Sequence, residues 1–543
     1  MNNTTPLFGE SIRISESISS LARVFKTPTV FKAGEGVGTI KVHETISKLA
    51  FIYEKIRNTI DYRDEHLFRI YAILRILKRR IFFEEQRKNH GETLIKELIR
   101  GGYLDNNVLP ETKISETDAL IEKYLTLINL LPSKITDKEK HALIDWLMTL
   151  AAGEIEDNLV PQQRIQSLVY LMYSVMKERI VLLDEGIGEN EKNLQIFIAC
   201  QRALTKADPT ALNYDIFRCY YPQWPGLASN NLIAEVAVNL PRIKIAVERQ
   251  IDHPAGKRLF ILCQKKAAPF LILEDIFSKN PDKSEEILAS PELLEEYIRS
   301  VAGERYQKIR AVLKRSAWRS VIYIFITKML FAFLLEIPYD YYVLKHLYWP
   351  ALLINIFFPP MLMFAMVSSV RIPKEENTIE LIRELMHLVY IAPGAKTQYN
   401  KIKIFSRRPT VLRIIFGIVT VALFIISFGA IVWLLSKLNF SVFSQIIFLL
   451  FLTAISFFAV QIRRSINQIL TVEKKENIMT LAADLFGYPI VQTGHWLSMK
   501  FRSINLFGFI FDVFLETPIK SFISLSEEWT SYLKEKKEEM RNP

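Results

Sequence analysis

The sequence predicts an all-α protein in which a large N-terminal cytoplasmic helical domain precedes a four-helix transmembrane module flanked by interfacial amphipathic helices. Three observations carry that prediction. Two long apolar runs, Ile414–Leu435 and Phe440–Ile462, contain no Asp, Glu, Lys, Arg or His and are separated only by Ser436-Lys437-Leu438-Asn439. Each run reaches the roughly 20 apolar residues that a helix rising ~1.5 Å per residue needs to cross a ~30 Å hydrocarbon layer. Helices are required there because lipid offers the backbone no hydrogen-bond partner. Over residues 1–300, apolar side chains recur at steps of three and four, and strand-like alternation is nearly absent. Finally, the formal charge of +11 is unevenly spread: residues 1–300 are close to neutral and the basic excess lies beyond them, beside the apolar runs. That placement suits anionic headgroups and orientation at a membrane, and it excludes nucleic acid as the partner.

Residues 1–43 are rich in Ser, Thr and Gly and read as a flexible N-terminal segment. Gly34-Glu35-Gly36-Val37-Gly38 is not a phosphate loop, because Thr39-Ile40 stands where Gly-Lys-Ser/Thr would be needed. Residues 44–315 form the expected all-α cytoplasmic domain. Leu49, Tyr53, Ile56 and Ile60, then Leu67, Ile70, Leu74, Leu77 and Ile81, put one apolar stripe on a helix or helix pair over 44–88. Further helices are expected at about 115–131, 138–158, 162–183, 190–206, 229–250, 258–278 and 284–315, punctuated by prolines. Tyr220-Tyr221-Pro222-Gln223-Trp224-Pro225 reads as an aromatic plug over the core. The histidines form no H-E-x-x-H motif, and paired acids such as Glu154 and Glu156 are common on charged helices. No catalytic residue, metal ligand or cofactor is therefore assigned. Cys200, Cys219 and Cys263 form no C-x-x-C pair and suit a reducing compartment. Met1-Asn2-Asn3-Thr4-Thr5-Pro6 carries no signal-peptide pattern, so the first span is expected to act as its own insertion signal.

The membrane module is expected over residues 316–465, with spans at about 320–340, 349–370, 412–435 and 440–462. The connection 371–411 is rich in Lys and Arg, as are the flanks at Lys314-Arg315 and Arg463-Arg464, whereas the two short turns carry one lysine each, Lys345 and Lys437. The positive-inside rule then places the multi-pass chain in the inner membrane with both termini and the 371–411 loop in the cytoplasm. Candidate intramembrane functional residues are Lys328, Glu336, Asn355, Pro359 and Pro360. Ionised side chains at bilayer depth are costly, and the proline pair frees carbonyls that Asn355 could satisfy. Lys328 and Glu336, eight residues apart and so about 12 Å along one helix, are expected to be too distant for contact.

Within the loop, 377–390 reads as an amphipathic helix with Ile379, Ile382, Leu385, Met386 and Val389 on its apolar face. Residues 466–543 form a cytoplasmic or interfacial helical tail, in which Asp512, Glu516 and Lys520 line one face of a membrane-interface helix over 503–525. Tyr53-Glu54-Lys55-Ile56-Arg57-Asn58, the segment from Thr327-Lys328-Met329-Leu330 to Leu335-Glu336-Ile337-Pro338-Tyr339-Asp340, and Glu516-Thr517-Pro518-Ile519-Lys520 resemble pieces of uncharacterised bacterial multi-pass inner-membrane proteins. That resemblance implies the location and no activity, cofactor or site residue. The leading functional expectation is a noncatalytic scaffold presenting an all-α protein-binding domain to the cytoplasm. Its partners are the bilayer and a cytoplasmic protein, with homo-oligomerisation left open. A transporter or channel built on the polar residues of the first two spans is the alternative, and a lipid-acting enzyme using His495 is a third reading.

Overall fold

The computed structural model describes residues 13–27, 38–42, 65–83, 90–131, 136–183, 187–346, 348–368, 375–391, 400–402, 410–467 and 478–503, together with Trp529 and Tyr532. Leu49–Ile60, the glycine loop at 34–37 and the tail residues Asp512, Glu516 and Lys520 lie outside them. The chain is predominantly helical, and the described strands are two or three residues long: Arg13–Ile14 pairs antiparallel with Tyr390–Ile391, and Ile180–Leu182 pairs parallel with Asn400–Ile402. Two compact units separate near Gln264.

The first unit, centred on residues 16–264, holds α1 (Glu16–Lys26), α2 (Glu65–Phe83), α3 (His90–Arg100), α4 (Thr112–Asn129), α5 (Asp137–Leu159), α6 (Gln163–Arg179), α7 (Glu189–Thr205), α8 (Pro209–Tyr220), α9 (Asn230–Ile251) and α10 (Gly256–Lys265). Its hub is α5, which begins in a capping box where Thr136 and Glu139 satisfy each other's backbone N–H groups. From Leu143 to Glu156 nearly every residue of α5 is buried, the pattern of a helix surrounded on all sides, and it packs against α2, α4 and α8. At Gly153 an added Cβ would lie 2.7 Å from Cβ of Tyr214, so only glycine admits α8 at that distance. Helix α8 was not among the expected helices. Its Pro209 sits in the first turn beneath Asp208, whose carboxylate accepts from the Thr210 and Ala211 N–H groups, so the proline starts a helix instead of ending one.

The aromatic segment does close over the core. Trp224 is fully buried and donates from Nε1 to Glu154 Oε2 at 3.1 Å. Tyr124 Oη donates to the same oxygen at 2.7 Å. Glu154 Oε1 accepts from Lys123 Nζ at 2.6 Å and from the Gly226 N–H at 2.8 Å. Gly226 has φ of +80°, a left-handed conformation that glycine adopts without strain. Glu154 is thus a structural anchor that ties α4, α5 and the 221–226 loop together.

Glu156, two residues on and so on the nearly opposite side of the helix, accepts from Arg69 Nη2 at 3.1 Å and Gln162 Nε2 at 3.0 Å. Burial raises its carboxyl from the usual 4.5 to about 7, against the opposing pull of Arg69. The folded state therefore holds this proton more tightly than the unfolded chain. Its stabilising contribution is complete below pH about 4.5 and is lost as pH rises to about 7, a change on the order of 3 kcal/mol. Urea unfolding in detergent should show the wild type more stable near pH 5 than above pH 7, and Glu156→Gln should flatten that slope. An unchanged slope in the variant would remove Glu156 as its origin.

The second unit contains α11 (Ala268–Lys279), α12 (Ser284–Ala289), α13 (Pro291–Phe331), α14 (Trp349–Ser368), α15 (Glu375–Val389), α16 (Thr410–Lys437), α17 (Val442–Asn467) and α18 (Ile478–Ser503). The helix expected over 258–278 is broken before Ala268 because Pro269 fits a first turn and not an interior. The one expected over 284–315 is likewise broken at Ser290, which caps α13 by accepting from the Leu293 N–H. With 41 residues, α13 is about 60 Å long, twice the hydrocarbon thickness, so residue 315 falls inside one continuous helix.

Among the described residues, four helices are long and apolar enough to cross a membrane: the last part of the Pro291–Val343 element, Trp349–Ser368, Val411–Lys437 and Val442–Gln461. They mark a membrane protein. α14 packs between α13 and α17, while α15 packs on α11 and α13. The buried stripe of α15 is Asn377, Thr378, Leu381, Ile382, Leu385 and Val389, whereas Ile379, expected on the apolar face, is exposed. The contacts with α11 and α13 select the face through Leu381.

Candidate intramembrane polar site

Helix α13 carries Lys328 to within one turn of its end at Phe331. The backbone then widens into a π-helical segment, Ala332–Glu336, in which the Ile337 N–H bonds Ala332 O. Pro338 supplies the cause. It has no N–H to offer Leu334 O and its ring crowds that turn, so the apolar helix re-satisfies its backbone with i→i+5 bonds. A second π segment, Tyr339–Val343, follows at once.

The widened turn corrects the expectation that Lys328 and Glu336 cannot meet. In an uninterrupted α-helix, residues eight apart point about 80° away from each other, but one extra residue absorbed by the π turn makes them behave as a seven-residue pair, about 20° apart. Both side chains are long, and they reach toward each other along one face. Lys328 Nζ donates to Glu336 Oε1 at 2.5 Å. From α14, Asn355 Nδ2 donates to the other carboxylate oxygen at 2.6 Å. All three residues are 0 % exposed. The ammonium also lies 5.0 Å from the ring centroid of Phe451 on α17, an approach that favours a cation over the aromatic face.

The cluster is not fully satisfied. Asn355 Oδ1 is buried without a donor, and so is Asp340 Oδ1 farther along the chain. Pro359 and Pro360, both buried, leave the carbonyls of Asn355 and Ile356 without their i+4 donors, although α14 runs through both prolines. Acceptor capacity therefore exceeds donor supply around Asn355.

Of the five residues expected to matter inside the membrane, three make direct contact and the two prolines shape the backbone beside them. Phe451 had no sequence signal, since nothing local distinguishes it from the other phenylalanines of its helix. Asp340 could have been paired with Glu336 by its i,i+4 spacing. His495 is exposed and lies against the Phe457 ring at 5.3 Å, apart from this cluster. Compared with known protein families, curated proteins and solved structures, the chain matches none, so what this site does must be read from its own geometry.

Proposed function

We propose that the membrane unit is a transporter or channel for a small cation, with Glu336 as its binding carboxylate and Lys328 as a tethered cation that occupies the site when no ligand is bound. The observation that carries this reading is the shared carboxylate: Glu336 is held by an ammonium from its own helix and an amide from the next, beside an Asn355 oxygen that lacks a donor. Ionised groups at bilayer depth are costly and characteristically line ion paths, and discontinuous helices supply carbonyls to such paths. A proton or metal cation reaching Glu336 would compete with Lys328 for one charge, which gives the site two states. The basic flanks support an orientation with the helical unit and the 371–411 connection on the cytoplasmic face.

Purified protein in proteoliposomes should carry H⁺, Na⁺ or K⁺ down an imposed gradient, and Glu336→Gln should abolish that flux while the protein still inserts. Absence of flux for all three cations, or flux that survives Glu336→Gln, would sink the proposal. A second reading, the noncatalytic scaffold, is supported by the outer face of α9, where Val238 and Ile245 are 71 % and 59 % exposed. Under that reading, replacing both by lysine abolishes co-purification of a stoichiometric partner, whereas under the first it leaves cation flux unchanged.

A further inference from the structure

Helix α18 follows the four apolar helices and lies within residues 466–543, the segment expected to form a cytoplasmic or interfacial tail. Its packing gives a different location. It lies along both α16 and α17. Ser427, buried in α16, donates from Oγ to the Phe486 carbonyl at 2.9 Å. Gly494 approaches α17 so closely that an added Cβ would lie 2.1 Å from Thr453 O and 2.8 Å from Cβ of Phe457. Backbone contact of that kind is how helices associate in lipid, where small residues let the chains approach.

Depth follows from these two contacts. Ser427 lies ten residues from Lys437 and Thr453 eleven from Val442, so each is about 15 Å from the turn joining the two helices, half of a ~30 Å hydrocarbon layer. Phe486 and Gly494 are eight residues apart, about 12 Å along α18, so a helix that meets both neighbours at that level crosses them obliquely within the layer. Residues 485–499 contain no Asp, Glu, Lys or Arg; Leu485, Tyr488, Trp496 and Met499 are exposed together with the uncharged Gln492 and with His495, and Ile425 and Ile426, next to the Ser427 contact on α16, are exposed as well. Since that neighbouring surface meets hydrocarbon, the face of α18 beside it requires the same solvent.

We propose that α18 is a fifth bilayer-embedded helix, with Leu485, Tyr488, Trp496 and Met499 against lipid acyl chains and Gly494 seated on α17. The assignment is independent of the transport reading. Its mean hydropathy is lowered by Asp484, Gln492, Thr493 and His495 within the helix as well as by Lys500 and Arg502 at its end, which is why composition alone does not mark it as a span.

The unmodified full-length protein, reconstituted in phosphatidylcholine vesicles bearing a photoactivatable diazirine in the acyl chain, tests this directly. Mass spectrometry should find lipid adducts on 485–499 in yield comparable to those on 411–437. Lack of adducts on 485–499 beside strong labelling of 411–437 overturns the proposal. In a second measurement, nitroxides at Tyr488 or Trp496, in a chain with Cys200, Cys219 and Cys263 replaced by alanine, should collide with dissolved oxygen as one at Ile425 does. Collision with a water-soluble nickel chelate as frequent as at Val181, on the first unit, would place α18 in water and refute it. Gly494→Val should lower the melting temperature in detergent, and an unchanged value would contradict the close seat on Thr453.

Discussion

Lys328→Met is expected to destabilise the protein by about 3–5 kcal/mol, the range for breaking a buried ion pair by removing one partner. Taken as a lone charge in an apolar helix, the lysine would be dispensable, and methionine at that position would be neutral or stabilising. The contact with Glu336 reverses the sign, because the variant strands a carboxylate that lipid cannot solvate and leaves it only the Asn355 amide of its two described donors. Glu336→Gln should cost a similar amount by stranding the ammonium. The double variant should recover most of the loss, since a buried pair replaced by neutral groups of similar volume is often no less stable than the pair itself. Unfolding of the four proteins in the same detergent gives the coupling energy. A value of about 2 kcal/mol or more is expected for groups in direct contact, and additivity within about 0.5 kcal/mol would show that the two residues do not meet.

The second large effect concerns Glu154→Ala in the first unit. The carboxylate accepts from four donors, of which Lys123, Tyr124 and Trp224 are buried side chains, so the variant leaves one cation and three neutral donors without their acceptor. Lys123 retains the carbonyls of Trp224 and Gly226, at 3.1 and 2.8 Å, and Trp224 Nε1 retains Tyr124 Oη at 3.1 Å, which limits the loss. A destabilisation of about 3–5 kcal/mol is expected, with early loss of hydrogen-exchange protection at the Gly226 amide. Glu154→Gln keeps one acceptor but turns an NH₂ group toward the donors, and should recover less than half. A cost below about 1 kcal/mol for Glu154→Ala would mean that the loop is held by apolar packing of Trp224 on Tyr124 and Phe217 alone.

The helical class and the four apolar helices were legible in the chain because each depends on a property of a short segment. Hydrocarbon selects for about 20 uncharged apolar residues, and a buried helix face selects for spacing of three and four, so both signals survive without knowledge of neighbours. Where two local signals competed, the reading failed: Pro209 looks like an interruption until Asp208 is seen to cap the helix it opens, whereas apolar spacing carries the expected 284–315 helix through Pro291, where Ser290 in fact caps a new one. The polar residues of the first two spans were also conspicuous, since a lysine, a glutamate, an asparagine and two prolines are each expensive in lipid. Their assembly was not. It depends on the π turn that Pro338 imposes, which re-phases Glu336 onto the face of Lys328, and on α14 and α17 bringing Asn355 and Phe451 to the same point. Glu154 and Glu156 are two residues apart in one helix and look alike in the sequence, yet one gathers Lys123 and Trp224 while the other meets Arg69, because the helix turns them toward different neighbours. The sequence by itself thus determined which segments are helical and which four are apolar enough for a bilayer, as these follow from local periodicity and solvation. Only the tertiary structure decided which polar groups meet and how close α18 lies to its neighbours, because those are set by contacts between residues far apart along the chain.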